Sequence, residues 1–448
     1  MLGADDYALE RVPAEARYPW WTVAVQRFGQ LSDLTVFLLG AALGAGMSFW
    51  GAFWALTLGS VILEVVAIFA GIAGVREGLS TSVLARWTGF GRAGSALIGL
   101  VVAISLVGWF GIQNAIFAEG LHALVTGVPV WAWSIVTGLV VTVLVVYGFR
   151  WMAWIAYVTV PAFLLLAGWS IVGELSEHGL GDLLGSEAFG GSMSIATGAT
   201  LVAGSYIAGA VLAPDMTRFN RTTGDVVKQS VVSITLGQYV LGLIGVLLAY
   251  AIKSDNVVEI FAATSGTVGI IILVSATVKI NDWNLYSSSL GFVNTLSTLF
   301  GLRLNRVVAT IAIGVLGTAL SAAGILDRFQ EFLTVLGVAL PPIAGIMVAE
   351  YFVVRRWRPV LDEARATGRL PETEPGWVPA TLVIWVGSAV LGWWTEQVQF
   401  GIPSLNSLVV AGVLYLVAGK LGLVRGTREL PVAATTATPA TTAGRGSE

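Results

Sequence analysis

The sequence predicts an all-α polytopic membrane protein, and three observations predict this class. Of the 448 residues, 56% are hydrophobic and only 11% are charged, whereas soluble domains carry about 25% charged residues. The apolar residues gather in runs of about 20, the length of a helix that crosses a bilayer. Lysine and arginine fall almost entirely on one predicted side of these runs. This composition leaves no soluble domain of ordinary size.

Twelve apolar runs are long enough to cross a bilayer, and we number them spans 1 to 12. They cover residues 28–48, 52–73, 96–118, 128–148, 151–172, 193–213, 230–251, 266–290, 305–323, 329–353, 377–394 and 403–422. An even number of spans places both ends of the chain on the same side of the membrane.

Positive charge sets the predicted orientation, because lysine and arginine concentrate in cytoplasmic loops. With a cytoplasmic N-terminus, 21 of the 24 basic residues fall on the cytoplasmic side. Only Lys253 and Arg328 fall outside, and Lys279 falls within span 8. We therefore expect a multi-pass protein of the cytoplasmic membrane with both termini in the cytoplasm.

The polar segments complete the predicted organisation. Residues 1–27 form a cytoplasmic segment without the pattern of a cleavable signal peptide. Residues 28–354 form a ten-span core, 355–376 a solvated cytoplasmic loop, and 377–422 spans 11 and 12. The low-complexity tail 423–448 is expected to be disordered.

Several kinds of chemistry find no support in the sequence. It has no cysteine and only two histidines, His122 and His178, both in predicted loops. It has no phosphate-binding loop and no nucleophile–base pair, which argues against an enzyme. Polar residues gather at one depth rather than along stripes, which argues against a channel. We expect no cofactor, no metal site, no nucleic-acid partner and no obligate protein partner, only the lipid bilayer and a small molecule.

Four charged residues lie five or more residues inside predicted spans, away from the span ends, and are functional candidates by default. They are Asp33 in span 1, Glu64 in span 2, and Lys279 with Asp282 in span 8. A lysine at a helix centre costs about 2.5–3.5 kcal/mol to insert. One cation among three acids favours an ion pair, with Asp33 as the first suspected partner and Asp282 or Glu64 as alternatives. A purely structural pair, or a charge reaching toward water, is the other interpretation.

Spans 1 and 6 are rich in small residues and carry polar ones. Glycines allow close helix packing, but they also permit interrupted helices, which are tolerated only beside a cavity. Interrupted helices at matching positions of two halves indicate an inverted-repeat transporter with a site at mid-membrane. Span 6 is the fifth span after span 1, which fits two five-span repeats of about 28–172 and 193–354. The glycines and proline concerned are Gly29, Gly40, Gly44 and Gly46 in span 1, and Gly198, Gly204, Gly209 and Pro214 in span 6.

An aromatic side chain with an amide side chain one helical turn away occurs in span 3. Trp109 and Gln113 are four residues apart, so they share one face of a helix. This pair suits a flat heterocycle, which would stack on the indole and hydrogen-bond in its plane. Gly204, Ser205 and Tyr206 of span 6 offer a second aromatic ring and polar groups. Ordinary packing is the alternative for Trp109.

These residues belong to longer motifs that resemble the nucleobase–cation symporter-1 family, close to its cytosine and purine permeases. The motifs occur in the family's order over residues 6–356. They are DYALERVP, GAALGAGMS, LVGWFG, GSYIAGAVLAPDMTRFNR, NDWNLYSSSLGFVN and LPPIAGIMVAEYFVVRR.

The resemblance implies a LeuT-like fold of twelve helices, with broken helices 1 and 6 and two inverted five-helix repeats. It also implies alternating access to a site for a purine, pyrimidine or related ring. Trp109 matches the family's stacking tryptophan and Tyr206 takes the place of its second aromatic. The resemblance implies further substrate contacts at Gln113, Gly204, Ser205 and Asn281. Ser32 and Asp33, at the expected break of span 1, are additional predicted contacts, and Asp282 and Asn284 are second-line candidates.

The chain departs from the family at the sodium position. Sodium-using members bind the ion between span 1 carbonyls, here Gly29 and Ser32, and span 8 positions, here Ala276, Lys279 and Ile280. Those members tend to place hydroxyls at the last two positions, and a hard cation needs several oxygen ligands. We therefore expect Lys279 to take the place of the sodium ion.

Without sodium, the identity of the coupling ion is a hypothesis. Asp33 is also a departure, since cytosine permeases carry a neutral residue there. Proton exchange between Lys279 and Asp33 would make the carrier proton-coupled, with Glu64 as a second possible proton carrier. Asp33 could instead receive an N–H or cationic group of the substrate.

The predicted function is import of a nucleobase-like nitrogen heterocycle by a sodium-independent secondary transporter. Two alternatives stay open. One is a carrier of another small ring, such as allantoin, hydantoin or a thiamine-pathway pyrimidine. The other is a sodium-coupled symporter despite Lys279.

Overall fold

The computed structural model describes residue 7 and residues 10–31, 33–147, 149–302 and 304–432, with the side chains of 147, 149–160 and 279 left out. Helices of eight or more residues are labelled α1 to α15. They are α1 Trp20–Leu31, α2 Leu34–Gly46, α3 Phe49–Glu77, α4 Gly91–Leu124, α5 Val130–Tyr147, α6 Phe149–His178, α7 Ile195–Val211, α8 Thr223–Ile252, α9 Val257–Phe300, α10 Arg306–Ala322, α11 Phe329–Ala339, α12 Pro341–Val348, α13 Arg358–Ala366, α14 Pro379–Gln397 and α15 Pro403–Lys420. Short helical turns and one two-stranded sheet connect them.

The described helices confirm a helical membrane protein. In the described part of the chain, six helical stretches are long and apolar enough to cross a bilayer, one of them Ile325–Val354, which contains α11 and α12. The bent pair α1 and α2 makes a seventh if it is one span. Three shorter apolar helices cover Val130–Val146, Ile195–Val211 and Arg306–Ala322. The outward residues of α3 follow one helical face, with spacings of three and four: Trp50, Trp54, Leu58, Val61, Val65 and Phe69 are all exposed. A face this apolar belongs against lipid.

Local sequence explains where the long helices begin and end. Ser48 caps α3, and Gly78 ends it in the left-handed conformation with φ 64°. Thr222 and Asp225 form a reciprocal capping box at the start of α8. Gly266 has φ 58° and ψ −149°, so it kinks α9 near the residue where span 8 was predicted to start. The apolar run of span 8 therefore corresponds to the longer, second part of α9.

The predicted interruption of span 1 is confirmed, because α1 ends at Leu31, α2 begins at Leu34, and the two helices meet at an angle of 57°. The predicted interruption of span 6 occurs only at its end. The helix α7 runs unbroken from Ile195 to Val211, and Leu212 separates it from a five-residue helix, Ala213–Thr217, that contains Pro214. The glycines of α7 serve close packing, since a β-carbon at Gly204 would collide with the Leu333 carbonyl.

Close backbone approach also joins α2 to α8. A β-carbon at Gly40 would meet the Gly242 carbonyl, and one at Gly245 would meet the Phe37 carbonyl. Glycines on both helices thus let the two backbones touch, as small residues commonly do between membrane helices. This contact fixes α2 beside α8 directly after the break in span 1.

The segment before the first span is more structured than expected. The first helix begins at Trp20 rather than at residue 28, so Arg27 lies within α1 and is fully buried. Upstream, the Val12 N–H donates to the Gly78 carbonyl at 2.9 Å and the Tyr18 N–H donates to the Phe219 carbonyl at 2.7 Å. The N-terminal segment is therefore tied to the ends of α3 and of the turn after α7.

The loop and tail predictions also need correction. The loop 355–376 was expected to be a solvated connector, but it contains α13, whose residue Leu361 is buried. Disorder was expected from residue 423, but Glu429–Pro431 pairs antiparallel with Thr373–Pro375. Backbone pairing to the loop explains this order. The tail from 433 onward lies outside the described residues.

Four side chains, which we call the Glu77 cluster, join these segments: Arg11, Glu77, Tyr351 and Arg365. Glu77 is fully buried and accepts from Arg11 at 2.9 Å, Arg365 at 2.7 Å and the Tyr351 hydroxyl at 2.6 Å. Arg11 also donates to the Arg369 carbonyl at 2.8 Å. Because a buried carboxylate needs partners, the cluster fastens the N-terminal segment and the 355–376 loop to the end of α3.

Candidate functional site

The break in span 1 is shaped by Asp33. Its Oδ1 accepts from the backbone N–H groups of Thr35 at 2.9 Å and Val36 at 3.3 Å, which makes Asp33 the N-cap of α2. A carboxylate here satisfies otherwise unpaired donors and faces the positive end of the helix dipole. Asp33 has further contacts as well. The capping role is additional to the pairing and substrate roles predicted for Asp33, and neither of those is tested.

Gln113 of α4 meets this same break. Its Nε2 donates to the Thr35 hydroxyl at 2.6 Å. Gln113 is buried, and its Oε1 has no hydrogen-bond partner among the described residues. An unpaired buried acceptor is costly in a folded protein, so this oxygen marks a position where a ligand donor would be favourable.

Trp109 lies one turn before Gln113 and is 8% exposed. Its ring packs edge-on against Phe332 at 5.1 Å and against Phe329 at 6.2 Å. Gly108 leaves room for the Phe332 ring, since a β-carbon there would collide with it. The indole is therefore held by residues of α11, while its neighbour Gln113 reaches α2.

Tyr206 of α7 lies beside α1. Its hydroxyl donates to Gln30 Oε1 at 3.1 Å, and the Arg27 guanidinium lies over its ring at 5.6 Å from the centroid. Arg27 Nη2 also donates to the Gly209 carbonyl at 3.2 Å. The structure thus joins Tyr206 to two residues of α1 that were not predicted as site residues.

A second amide adjoins the span 6 motif. Gln238 of α8 donates from Nε2 to the Ser205 hydroxyl at 3.2 Å, and Ser205 donates to the Val202 carbonyl at 2.8 Å. Gln238 is fully buried, and its Oε1 has no partner in the described part of the chain. Gly204, by contrast, presents its α-carbon to α11 at Leu333.

The polar motif of span 8 lies on α9 and is buried. Asn281 is 0% exposed, Asp282 2% and Asn284 6%. Neither side-chain atom of Asn281 has a hydrogen-bond partner among the described residues, and Asn284 Nδ2 has none either. Asp282 does have contacts. Asn281 therefore offers one buried donor and one buried acceptor, as a ring-binding amide would.

The predicted cation position is described only in part. Ala276 is buried on α9, and Ile280 lies four residues further along the same helix. Gly29 lies on α1, and a β-carbon there would meet nothing within 4 Å. Ser32 lies outside the described residues, and so does the side chain of Lys279, whose backbone belongs to α9. The proposed exchange of lysine for sodium is therefore untested.

Glu64 lies on a seam between α3 and α8. Its Oε1 accepts from the Thr235 hydroxyl at 2.6 Å, and Thr57 and Tyr239 share a short hydrogen bond along the same two helices. Neighbouring Val61 and Leu236 are exposed, so this seam borders the lipid-facing surface. The predicted role of Glu64 as a proton carrier has no direct support here.

One group of possible metal ligands lies away from these residues. Glu174, Glu177 and His178 at the end of α6 have ligand atoms within 4.8 Å of one another. His178 was expected in a loop but ends the helix, four residues after Glu174 and directly after Glu177, so His178 and Glu174 share one face of the helix. Glu177 and His178 are exposed, and exposed groups of this kind are common without an ion.

Sequence reasoning assigned no site role to Arg27, Gln30, Thr35 or Gln238. A signal for the first two was present, since Arg27 and Gln30 are three residues apart and share a helical face. Arg27 was instead counted as a cytoplasmic charge. Gln238 carried no local signal, because only the packing of α8 against α7 brings it to Ser205.

The chain is similar to known proteins over most of its length. Residues 11–418 match the family model described as permease for cytosine/purines, uracil, thiamine, allantoin. The cytosine permease of Escherichia coli (strain K12) is 30% identical over 381 residues, covering 84% of this chain and 85% of that protein. The hydantoin permease of Microbacterium maritypicum is 23% identical over 427 residues, covering 89% and 84%.

Solved structures share the fold. The inward-facing conformation of Mhp1 superposes with a TM-score of 0.77 at 19% identity, covering 92% of this chain and 93% of that one. Mhp1, a nucleobase-cation-symport-1 family transporter, in a closed conformation with bromovinylhydantoin bound has a TM-score of 0.71, covering 92% and 95%. The family match extends over most of the chain. The chain therefore belongs to the family of permeases for cytosine/purines, uracil, thiamine and allantoin, and it is a multi-pass membrane transporter rather than an enzyme.

Proposed function

We propose that this protein is a secondary active transporter that imports a nucleobase-like nitrogen heterocycle across the cytoplasmic membrane by alternating access. The family match and the relatives named for cytosine and hydantoin support this class of substrate. Both termini lie in the cytoplasm in this proposal, as the distribution of basic residues indicates.

One observation carries the proposal: Gln113, Gln238 and Asn281 are among the buried amide side chains that have hydrogen-bonding atoms without a partner in the described part of the protein. The atoms are Gln113 Oε1, Gln238 Oε1 and both polar atoms of Asn281. Buried polar groups in proteins are almost always paired. The polar edge of a flat heterocycle would supply donors and an acceptor, and Trp109 would supply a stacking surface. Small-molecule sites commonly combine such an apolar wall with a few polar groups.

The proposed architecture has twelve spans, the first ten in two inverted repeats. The helix contacts support this arrangement. Span 1 packs against span 7 through α2 and α8, and span 2 packs against span 6 through α3 and α7. In two five-span repeats, span 1 corresponds to span 6 and span 2 corresponds to span 7. Exchanging the two repeats therefore turns the contact between spans 1 and 7 into the contact between spans 6 and 2. The contacts of α4 with α9 and of α5 with α10 map onto themselves under the same exchange.

We propose further that transport is independent of sodium, with the Lys279 ammonium at the position of the ion. The residue types support this: Ala276 and Ile280 offer no side-chain oxygen, and hard cations require several oxygen ligands. Asp33, as a carboxylate at the break of span 1, is the proposed partner of Lys279. Protons are the coupling ion in this scheme.

Uptake into intact cells tests the proposal. Cells lacking their own nucleobase carriers and expressing the protein are given labelled cytosine, hypoxanthine, uracil, hydantoin and allantoin, in sodium or choline buffer. We expect saturable uptake of at least one ring that does not depend on sodium. Absence of uptake for every ring would reject the substrate class, and a large loss in choline would reject the role of Lys279. Uptake of hydantoin or allantoin alone would favour the alternative ring class.

A further inference from the structure

The ring of Tyr206 lies along its own helix, toward the C-terminal end. The evidence is at Gly209, three residues later, where a β-carbon would lie 2.5 Å from Tyr206 Cζ and 2.7 Å from Cε2. Only glycine at this position leaves space for the ring. Helical side chains normally lean toward the N-terminus, so the position of Tyr206 requires other groups to hold it.

Two residues of α1 hold the ring in this position. Gln30 Oε1 accepts the Tyr206 hydroxyl proton at 3.1 Å, and the Arg27 guanidinium lies 5.6 Å from the ring centroid. A guanidinium over an aromatic face is attractive, more so when it is removed from water. Arg27 is itself anchored at 3.2 Å to the Gly209 carbonyl, beside the ring.

The burial of Arg27 is energetically unfavourable, a cost in free energy that a residue with a purely structural role would avoid. It is 0% exposed, yet its Nε and Nη1 have no hydrogen-bond partner among the described residues. A buried charge with unsatisfied donors is unfavourable, so the packing of Arg27 depends on the ring and on one carbonyl. Movement of α1 away from α7 would let those donors reach water.

We propose that Arg27 and Gln30 are positioning residues that hold Tyr206 against Gly209 and keep its ring away from the substrate. We call this arrangement of Tyr206 the parked position. This inference rests on the proposed function and on the prediction that Tyr206 is the second aromatic residue that contacts the substrate. In the parked position Tyr206 contacts α1, while Trp109 contacts Phe329 and Phe332 of α11. Substrate binding then requires that Tyr206 leaves the contact with Arg27. The fraction of molecules with Tyr206 in the parked position lowers the apparent affinity for the substrate. The reason is that the substrate must first shift the equilibrium from parked to released Tyr206.

Fluorine NMR of 3-fluorotyrosine-labelled protein tests the parked position without a substrate. The chain has ten tyrosines, and the resonance lost in Tyr206→Phe identifies the relevant one. We expect that resonance to shift in Arg27→Leu, which removes the cation, and in Gly209→Ala, which fills the space under the ring. Gly387→Ala is the matched control, because a β-carbon there meets nothing within 4 Å. A Tyr206 resonance that stays unchanged in either Arg27→Leu or Gly209→Ala overturns the proposal.

Substrate affinity supplies the second readout. Since Arg27→Leu removes the parked state, it should bind the transported ring about three- to tenfold more tightly than the wild type. Arg27→Lys, which keeps a cation near the ring, should stay closer to the wild type. Unchanged or weaker binding by a folded Arg27→Leu protein overturns the proposal. If the wild type binds no ring at all, the proposed function fails, and the resonances alone decide whether Tyr206 is parked.

Discussion

Gln113 of α4 donates its side-chain N–H to the hydroxyl of Thr35 on α2 at 2.6 Å, and this bond leaves Gln113 Oε1 without a partner among the described residues. The bond crosses from span 3 to the residue directly after the break in span 1. Because the amide nitrogen donates in this bond, the amide oxygen is the atom left available to a ligand. The orientation of a single amide thus connects the broken helix to the proposed substrate site.

The first prediction concerns this bond. Thr35→Val removes the acceptor hydroxyl while keeping the shape of the side chain, so Gln113 loses its fixed orientation. We expect ring affinity to fall by about 1 kcal/mol, the contribution of one ordinary hydrogen bond. Gln113→Leu should cause a larger loss, because it removes the available oxygen as well. Isothermal titration with the transported ring measures both, and equal affinities for wild type and Gln113→Leu would exclude Gln113 from the site.

The second prediction separates the cap from the charge at Asp33. Asparagine caps helices about as well as aspartate, whereas alanine costs about 1 kcal/mol. We therefore expect Asp33→Asn to keep the thermal stability of the wild type and Asp33→Ala to lose some of it. If the carboxylate also serves coupling, both variants should lose uptake driven by a pH gradient. Full pH-driven uptake in Asp33→Asn would show that capping is the main role of Asp33.

The third prediction concerns Lys279. Removing the ammonium by Lys279→Ala should abolish the response of uptake to an imposed pH gradient while exchange of labelled for unlabelled ring continues. The reason is that exchange needs binding and movement but no net coupling. Vesicle uptake with and without a pH gradient measures the difference. A gradient that drives wild type and Lys279→Ala equally would remove Lys279 from the coupling mechanism.

The fourth prediction concerns stability at the Glu77 cluster. Arg11→Ala leaves Glu77 buried with one of its charged partners missing, and breaking a buried ion pair costs about 3–5 kcal/mol. We expect a clearly lower melting temperature in detergent. Arg328 and Glu331 form a matched control pair, because they lie 3.8 Å apart with 77% and 73% of their side chains exposed. Arg328→Ala should change little, as exposed pairs contribute little, and equal shifts for the two variants would contradict this account.

Long-range features of the fold were predictable because the membrane imposes strong constraints. The predicted start of span 8 and the kink at Gly266 coincide, and the apolar run after the kink forms the longer part of α9, as expected for a segment that must satisfy its own backbone in lipid. The break in span 1 was also predictable, because Ser32, Asp33 and Thr35 place polar groups where an apolar helix would otherwise continue. The order of the tail was not predictable, since it depends on pairing between Glu429–Pro431 and a distant strand.

Candidate site residues could be proposed only where a residue's type and position suggest a role. Trp109 and Gln113 were proposed from their spacing on one helix and Asn281 from the motif around it, and their contact with a substrate stays a prediction. Arg27 was misplaced because basic residues near a span end usually reach water, and its burial depends on the packing of α1 against α7. Gln238 could not be identified at all, because its contact with Ser205 exists only in the assembled bundle.

The central claim is that Trp109 and the buried amides bind a flat nitrogen heterocycle. Equilibrium binding of cytosine, hypoxanthine, uracil, hydantoin and allantoin to the purified protein, with Trp109→Ala in parallel, tests it most directly. We predict saturable binding of at least one ring to the wild type and a loss of about 1–3 kcal/mol in Trp109→Ala, the usual worth of stacking on an aromatic side chain. Undiminished affinity in a folded Trp109→Ala protein, or no binding of any ring by the wild type, would contradict the claim.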